Sequence, residues 1–257
     1  MLVERNGFMS DENGKMYHIQ CKKGDIGRYV LLPGDPNRTD GIAKYLEQAK
    51  VVACNREHKT WTGYLDGEKV SVVSTGMGCP STAIAMEELI HLGADTFIRV
   101  GTAGCINNDI REQNTLGGIV SGAVRGDGAS DMYVPKGYPA IADRHLVDAL
   151  SVAADKLGYR FDEGISYTKD SFYSYCLPDS VPLGGQIKAE LEILRKSNVL
   201  LTEMEASIIF IIASIRGCRA SGIMAYSDLP DVVNNIDKEI QVACEAIRIM
   251  IKRDNTL

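Results

Sequence analysis

No stretch of the 257 residues stays apolar for anything near the roughly 20 positions that a membrane-spanning helix needs. The opening MLVERNGFMSDENGK carries no hydrophobic segment of the secretion-signal kind, so the expectation is a cytoplasmic chain with no membrane partner. Basic charge is equally short. Lys and Arg number 28 against 34 Asp and Glu, a net charge of −6, and a nucleic-acid partner is not expected because phosphate-backbone binding needs a basic patch. Four histidines (His18, His58, His91, His145) form no HExxH or paired motif, so no metal centre is expected. Seven cysteines are scattered, odd in number and never spaced CxxC, which fits reduced, packed thiols and excludes a disulfide framework or a zinc site. Internal repeats, low-complexity runs and Pro- or Ser-rich linkers are also missing. One domain over 16–257 is expected, behind a flexible N-terminal segment at 1–15.

What is present reads as an ordinary globular interior, with 45% apolar and 24% charged residues. Strand-like apolar runs fall at 29–32, 70–74, 96–100, 118–124, 165–168, 199–201 and 220–225. Helical patterns fall at 39–46, 82–92, 144–157, 188–196, 205–216 and 237–252. The alternation predicts an α/β fold: a single domain with a mainly parallel central sheet flanked by helices. Ligands of such sheets sit outside the carboxyl ends of the strands. Polar residues gather at four of those ends: PGDPNR at 33–38, RVGTAG at 99–104, TEME at 202–205 and YSD at 226–228.

Two stretches are the most informative. In STGMGCPSTAIAMEEL (74–89), Gly76 and Gly78 suit a sharp turn or a close approach to a ligand, Pro80 suits a first helical turn and Ser81 a cap. In FIRVGTAG (97–104), the apolar strand ends in Arg99 and opens into a glycine-bearing turn. An arginine beside glycine-rich backbone is a place to hold an oxyanion such as phosphate. Taken alone, other readings stand. Arg38 equally suits a surface charge at a helix start, Glu203 and Glu205 suit the dipole of the helix they precede, and Asp228 in SDLPD suits a turn.

The motifs PGDPNR, REHKTWTG, STGMGCPSTAIAMEEL, FIRVGTAG, DSFY and TEMEAS, in this order, resemble the nucleoside phosphorylase superfamily with its uridine phosphorylase and hexameric purine phosphorylase branches. The likeness runs over about 16–250, and YHIQCKKGDIGRYVLLPGDP and the long spacer between Phe172 and Glu203 are closest to the uridine branch. The resemblance implies reversible phosphorolysis of a nucleoside, with inorganic phosphate as co-substrate and no cofactor. By position it implies a phosphate site of Gly34, Arg38, Arg99 and Thr102, with Arg56 reaching in from a neighbouring subunit. It implies a ribose site of Met204 and Glu205, with Glu203 nearby and His18 from the neighbour. Phe172 would wall the base, and Ala103 and Gly104 would line the floor. Shared residues imply at least a dimer, and the family builds hexamers as trimers of dimers. In some members Glu57 and Ser81, with a carbonyl at the Met77 position, hold a monovalent cation such as potassium between subunits.

These residue types suit the chemistry. Guanidinium forks grip phosphate oxygens in pairs and stay charged. A carboxylate such as Glu205 can accept from both ribose hydroxyls and favour a developing oxocarbenium ion. The chain departs from the family in two places. In FYSYCLPDSVPLGGQ the uracil-reading glutamine and arginine positions fall on Tyr175 and Ser180, with Gln186 further along. Ser227-Asp228 is instead similar to purine phosphorylases and the related nucleosidases, where the aspartate donates toward purine N7; the arginine that often supports it is Gln241 here. The leading expectation is therefore a phosphorylase on a uridine phosphorylase-like scaffold, its base pocket altered and purine-accepting. The alternatives are a uridine phosphorylase with an unconventional uracil loop, a phosphate-independent nucleosidase, or a non-catalytic nucleoside-binding protein. Retention of Arg38, Arg56 and Arg99 favours phosphorolysis, and Asp228, Arg99 and Glu205 are the expected catalytic set.

Overall fold

The computed structural model describes residues 3–5 and 7–256. Twelve strands follow in chain order: β1 (Val3–Arg5), β2 (Phe8–Ser10), β3 (Tyr29–Leu32), β4 (Glu47–Asn55), β5 (His58–Leu65), β6 (Glu68–Val73), β7 (Thr96–Cys105), β8 (Gly117–Gly126), β9 (Ala140–Ile141), β10 (Asp162–Lys169), β11 (Val199–Glu203) and β12 (Arg219–Tyr226). The helices are α1 (Arg38–Ala43), α2 (Cys79–His91), α3 (Arg144–Leu157), α4 (Tyr173–Cys176), α5 (Gly184–Lys196), α6 (Ala206–Arg216) and α7 (Val232–Asp254).

Ten strands form one mixed sheet in the order β11-β10-β8-β12-β7-β3-β6-β5-β4, with β9 beside β8. Its centre is parallel, as expected: β3 with β6 and β7, β7 with β12, and β8 with β10. The far end of β7 then pairs antiparallel with β11, Gly104 opposite Thr202, which closes β7, β12, β8, β10 and β11 into a small barrel. The remaining strands, β3 to β6, run out as an open wing. Outside this sheet, β1 and β2 form an antiparallel pair.

Burial explains the layers. β3 is buried along its whole length, as a strand covered on both faces must be. In α6, Ala206 to Ala213 are all buried, so this helix is apolar all round and lies inside the protein against α2. The longer α7 has an apolar stripe and packs against α3, β12 and β7. Asp143 caps α3 by accepting from the amides of His145 and Leu146, and Gly158 closes it in the left-handed region.

Several expectations need correcting. β7 does not stop at residue 100. It continues to Cys105, paired with β12 through Gly101, Thr102 and Ala103, so Arg99 lies inside a strand and the glycines after it make no turn. Their physical reason is space, as the site shows below. Gly78, not Ser81, occupies the cap position of α2, and Ser81 Oγ instead bonds the Thr75 carbonyl at 2.6 Å and Glu57 Oε1 at 2.7 Å. α5 and α7 begin four and five residues before the expected 188 and 237, at Gly184 and Val232. No strand is expected over 47–65, yet β4 and β5 are there. The buried face of β5 carries His58, Thr60 and Thr62, so its period-2 burial has no matching hydropathy signal.

Candidate active site

A cleft of about 790 Å³ opens at the carboxyl ends of the central strands. The four polar strand ends converge there: Gly34 and Arg38 after β3, Arg99 to Cys105 on β7, Thr202 to Glu205 at β11, and Ser227 after β12. The other wall comes from Lys169, Phe172 and Tyr175 and from α5.

Arg99 is the centre of the strand-built half of the cleft. It is 4% exposed, and its guanidinium is divided between two carboxylates. Nε donates to Glu203 Oε2 at 2.9 Å, and Nη2 pairs with Glu205 Oε2. Among the described residues Nη1 has no partner. Residues two apart on a strand face the same way, and Gly101 leaves room for this side chain. A Cβ there would stand 3.0 Å from Arg99 Cζ and Nη2. Burial works against the guanidinium's charge, yet Glu205 and Glu203 hold its pKa above the ordinary value. The charge is thus met by two carboxylates, while one buried N–H stays open, and a buried donor of this kind is costly unless an acceptor completes it.

Glu203 is saturated by the protein. Oε2 also accepts from the amides of Glu205 at 2.7 Å and Ala206 at 2.8 Å, and Oε1 accepts from Thr168 Oγ1 at 2.5 Å. It therefore seats Arg99 and satisfies the first amides of α6 at once. Glu205 has capacity to spare: Oε1 accepts only from the Gly78 amide at 2.6 Å, and Oε2 meets Arg99. Gly78 presents that amide with φ of 96°, a conformation only glycine takes freely. Burial pushes the Glu205 carboxyl up, against the pull of the Arg99 charge.

A third acid was not foreseen. Glu239 of α7 is fully buried and accepts from the Ala225 amide at 3.2 Å, and among the described residues its Oε1 has no partner. Burial lifts its pKa to about 8, with the charges of Arg38 and Arg99 opposing. Arg38 itself donates from Nη1 to the Val100 carbonyl at 3.2 Å.

The cleft thus brings together Gly34, Arg38, Arg99, Thr102, Ala103, Gly104, Phe172, Glu203, Met204 and Glu205. Three expected residues lie outside its lining. Asp228 sits at the rim, where Arg111 Nη1 holds it at 2.7 Å, and the Arg111 guanidinium lies 4.9 Å from the Tyr226 ring centre. His18 and Arg56 meet each other's surroundings elsewhere: Asn55 Nδ2 donates to the His18 carbonyl at 2.7 Å, and Arg56 stacks over Tyr17 at 5.7 Å. His18 Nδ1 is 2.7 Å from Glu88. Glu57 and Ser81 are adjacent, and the Ser81 hydroxyl lowers the Glu57 pKa. Among the described residues, no group of three or more His, Cys, Asp or Glu is placed to hold a metal.

The opposite wall was the least legible part. Tyr175 reaches Tyr167 Oη at 2.5 Å and Glu190 at 2.7 Å, a network that ties α4 to β10 and α5. Ser180 turns back to the Leu177 carbonyl and does not line the cleft. Lys169 and the α5 residues Lys188, Glu192 and Arg195 do line it. The i, i+4 spacing of Lys188 and Glu192 on an amphipathic helix reads as a solvent face, and only the fold turns it toward the cleft.

Comparison with known proteins places this geometry. The family model described as the phosphorylase superfamily matches residues 28–253. A uridine phosphorylase of Thermococcus kodakarensis is 42% identical over 253 residues, covering 95% of this chain and 89% of that protein. A uridine phosphorylase of Treponema pallidum is 39% identical over 248 residues, covering 93% and 95%. A guanosine phosphorylase of Halorubrum lacusprofundi is 33% identical over 209 residues, covering 81% of each.

Proposed function

The chain belongs to the phosphorylase superfamily, and from that premise we propose that its cleft carries out reversible phosphorolysis of a nucleoside. The family and the uridine and guanosine phosphorylase relatives mark it as a pentosyltransferase of the uridine phosphorylase-like branch. The single observation that carries the reading is Arg99, buried between Glu203 and Glu205 with one donor unpaired at the cleft.

In this reading phosphate binds against Arg38, Arg99, Thr102 and the Gly34 backbone. One of its oxygens forms a bond to the anomeric carbon as the glycosidic bond breaks. The electron pair of that bond passes to the base nitrogen, which is protonated from solvent, and ribose 1-phosphate and free base leave. Glu205 holds the ribose hydroxyls and offsets the positive charge that develops on the sugar. Phosphate is a weak nucleophile, so fixing it against the anomeric carbon is most of its activation; positioning of this kind is worth on the order of 7–11 kcal/mol. Phe172 walls the base, over a floor of Ala103 and Gly104.

Arg56 and His18 lie together outside the cleft. We assign them to the neighbouring subunit's site, which makes the working unit at least a dimer and supports a hexamer of three dimers. The oxygen-only pair Glu57 and Ser81 fits a hard monovalent cation such as potassium, which would neutralise charge between subunits. No helix of the described residues is long and apolar enough to cross a membrane; we place the enzyme in the cytoplasm. With a purine substrate, Asp228 reaches the leaving base by releasing Arg111.

The test is incubation with uridine, inosine and adenosine, each with and without phosphate, followed by chromatography of the free base. Phosphate-dependent release from at least one nucleoside is expected. Release independent of phosphate would move the protein to the nucleosidases, and no release at all would leave a binding protein.

A further inference from the structure

Lys169, the last residue of β10, lines the cleft and has no part in the chemistry described so far. It is 6% exposed. Its Nζ stands 5.1 Å from the ring centre of Tyr175 and 5.7 Å from that of Phe172. Among the described residues it forms no ion pair and no hydrogen bond; only the more distant Glu203 and Cys176 act on its charge. Burial lowers its pKa from the ordinary lysine value. An ammonium taken out of water without a counter-ion is a standing cost to the fold, and such groups cluster where a ligand completes them. The adjoining Thr168 is already used, bonding Glu203 behind Arg99. Consecutive strand residues face opposite ways, so β10 serves the anion-holding cluster with Thr168 and the aromatic wall with Lys169.

Resting on the phosphorolysis reading of this cleft, we infer that Lys169 donates to a carbonyl oxygen of the departing base and so selects oxo-bases. Cleavage leaves an electron pair on the base nitrogen. In uracil and in 6-oxopurines that charge delocalises onto ring carbonyls, which accept from an ammonium. Adenine and cytosine instead present an exocyclic amine at the corresponding carbon, and a donor there meets a donor. A site whose buried donor is left unpaired rejects the wrong ligand strongly. The two rings flanking Nζ fix its height against a planar base and keep water from it. Tyr175, held by Tyr167 and Glu190, keeps the wall in place.

Lys169→Met removes the charge at nearly constant volume, and Lys169→Arg keeps it. Two readouts are needed: kcat/KM for uridine, inosine and adenosine with the phosphate KM, and calorimetric binding of free uracil, hypoxanthine and adenine. Lys169→Met is expected to lower kcat/KM for uridine and inosine roughly 10- to 100-fold, the scale of one charge-assisted hydrogen bond. The phosphate KM stays as it is, adenosine turnover rises because the donor that opposes its amine is gone, and Lys169→Arg recovers part of the loss on the oxo-bases. Uracil and hypoxanthine binding weakens in step, while adenine binding does not. An equal loss on all three nucleosides, a raised phosphate KM, or unchanged binding of the oxo-bases would overturn the inference. Absence of phosphorolysis in the unaltered protein, with oxo-base binding still dependent on Lys169, would instead overturn the reaction and leave the recognition standing.

Discussion

The two halves of the cleft are built differently. The half proposed to face phosphate and ribose rests on strands. Arg99 lies inside β7, Glu203 ends β11, and the carboxylates around the guanidinium are tied to backbone amides and Thr168. The half proposed to face the base rests on short or irregular elements. Phe172 is 55% exposed at the head of the four-residue α4, and Lys169 has no polar partner among the described residues. One half fixes a charge to within a hydrogen-bond length, and the other offers flat surfaces and the ammonium of Lys169. Rigid placement suits the step common to every substrate, the delivery of phosphate. Looser construction suits the part that distinguishes one base from another.

The sharpest way to break this contrast is at Arg99. Arg99→Ala should reduce phosphate-dependent base release by at least ~10³-fold, since on the proposed mechanism its charge meets the phosphate in every turnover. It also leaves Glu203 and Glu205 facing each other in a buried site, so the melting temperature should fall as well. Full activity in a folded variant would show that phosphate is held elsewhere. A subtler variant is Gly101→Ala, which leaves every charge in place and crowds the guanidinium at 3.0 Å. Its expected cost is roughly 10- to 100-fold in kcat/KM with phosphate affinity most affected, the scale of a small misplacement. An unaltered phosphate KM would mean that Arg99 is less finely placed than its partners imply.

Much of the rigid half is legible in the sequence because its chemistry lies in short motifs at strand ends. Arg99, Glu205, Gly34 and Thr102 all fall in the polar clusters that follow apolar runs, and the family resemblance singles them out within those clusters before the fold is known. What misleads is the glycine at 101. From sequence it is a turn former, and in the fold it is an in-strand vacancy for a neighbouring side chain. Glu239 is illegible for another reason: an acid in an amphipathic helix reads as a solvent face, and only packing of α7 on β12 buries it. Lys169 and α5 escape notice because nothing local records that a surface-type residue will face a cleft. The strand β5 is missed because most of its buried positions are polar, and β4 because none of its positions is buried.

Glu239 separates the contribution of an acid to the fold from its contribution to turnover. Its pKa in the folded chain is about 8, raised from the model-compound value of 4.5 by burial. The folded chain therefore holds a proton that the unfolded chain releases. The stability associated with it is full below about pH 4.5 and is lost as pH rises toward 8. Glu239→Gln keeps the neutral shape, so its melting temperature should fall less than that of the parent between pH 5 and 8, by several degrees or roughly that. Parallel melting curves across that range would show that Glu239 is already ionised in the fold.

The smallest effect is expected at the rim. Asp228→Asn breaks the ion pair with Arg111, half in solvent, and should change stability by less than about 1 kcal/mol. With uridine the rate should hold, and with inosine it should fall more. Equal effects on the two would mean that Asp228 fixes the loop and leaves the base alone.

The central claim is that an oxygen of phosphate, and not of water, ends on the sugar. The most direct measurement is turnover with fully ¹⁸O-labelled phosphate, followed by mass spectrometry of the sugar product. The account predicts a pentose 1-phosphate that keeps the whole label, formed one for each base released. Free pentose carrying solvent oxygen, with the labelled phosphate untouched, would contradict it.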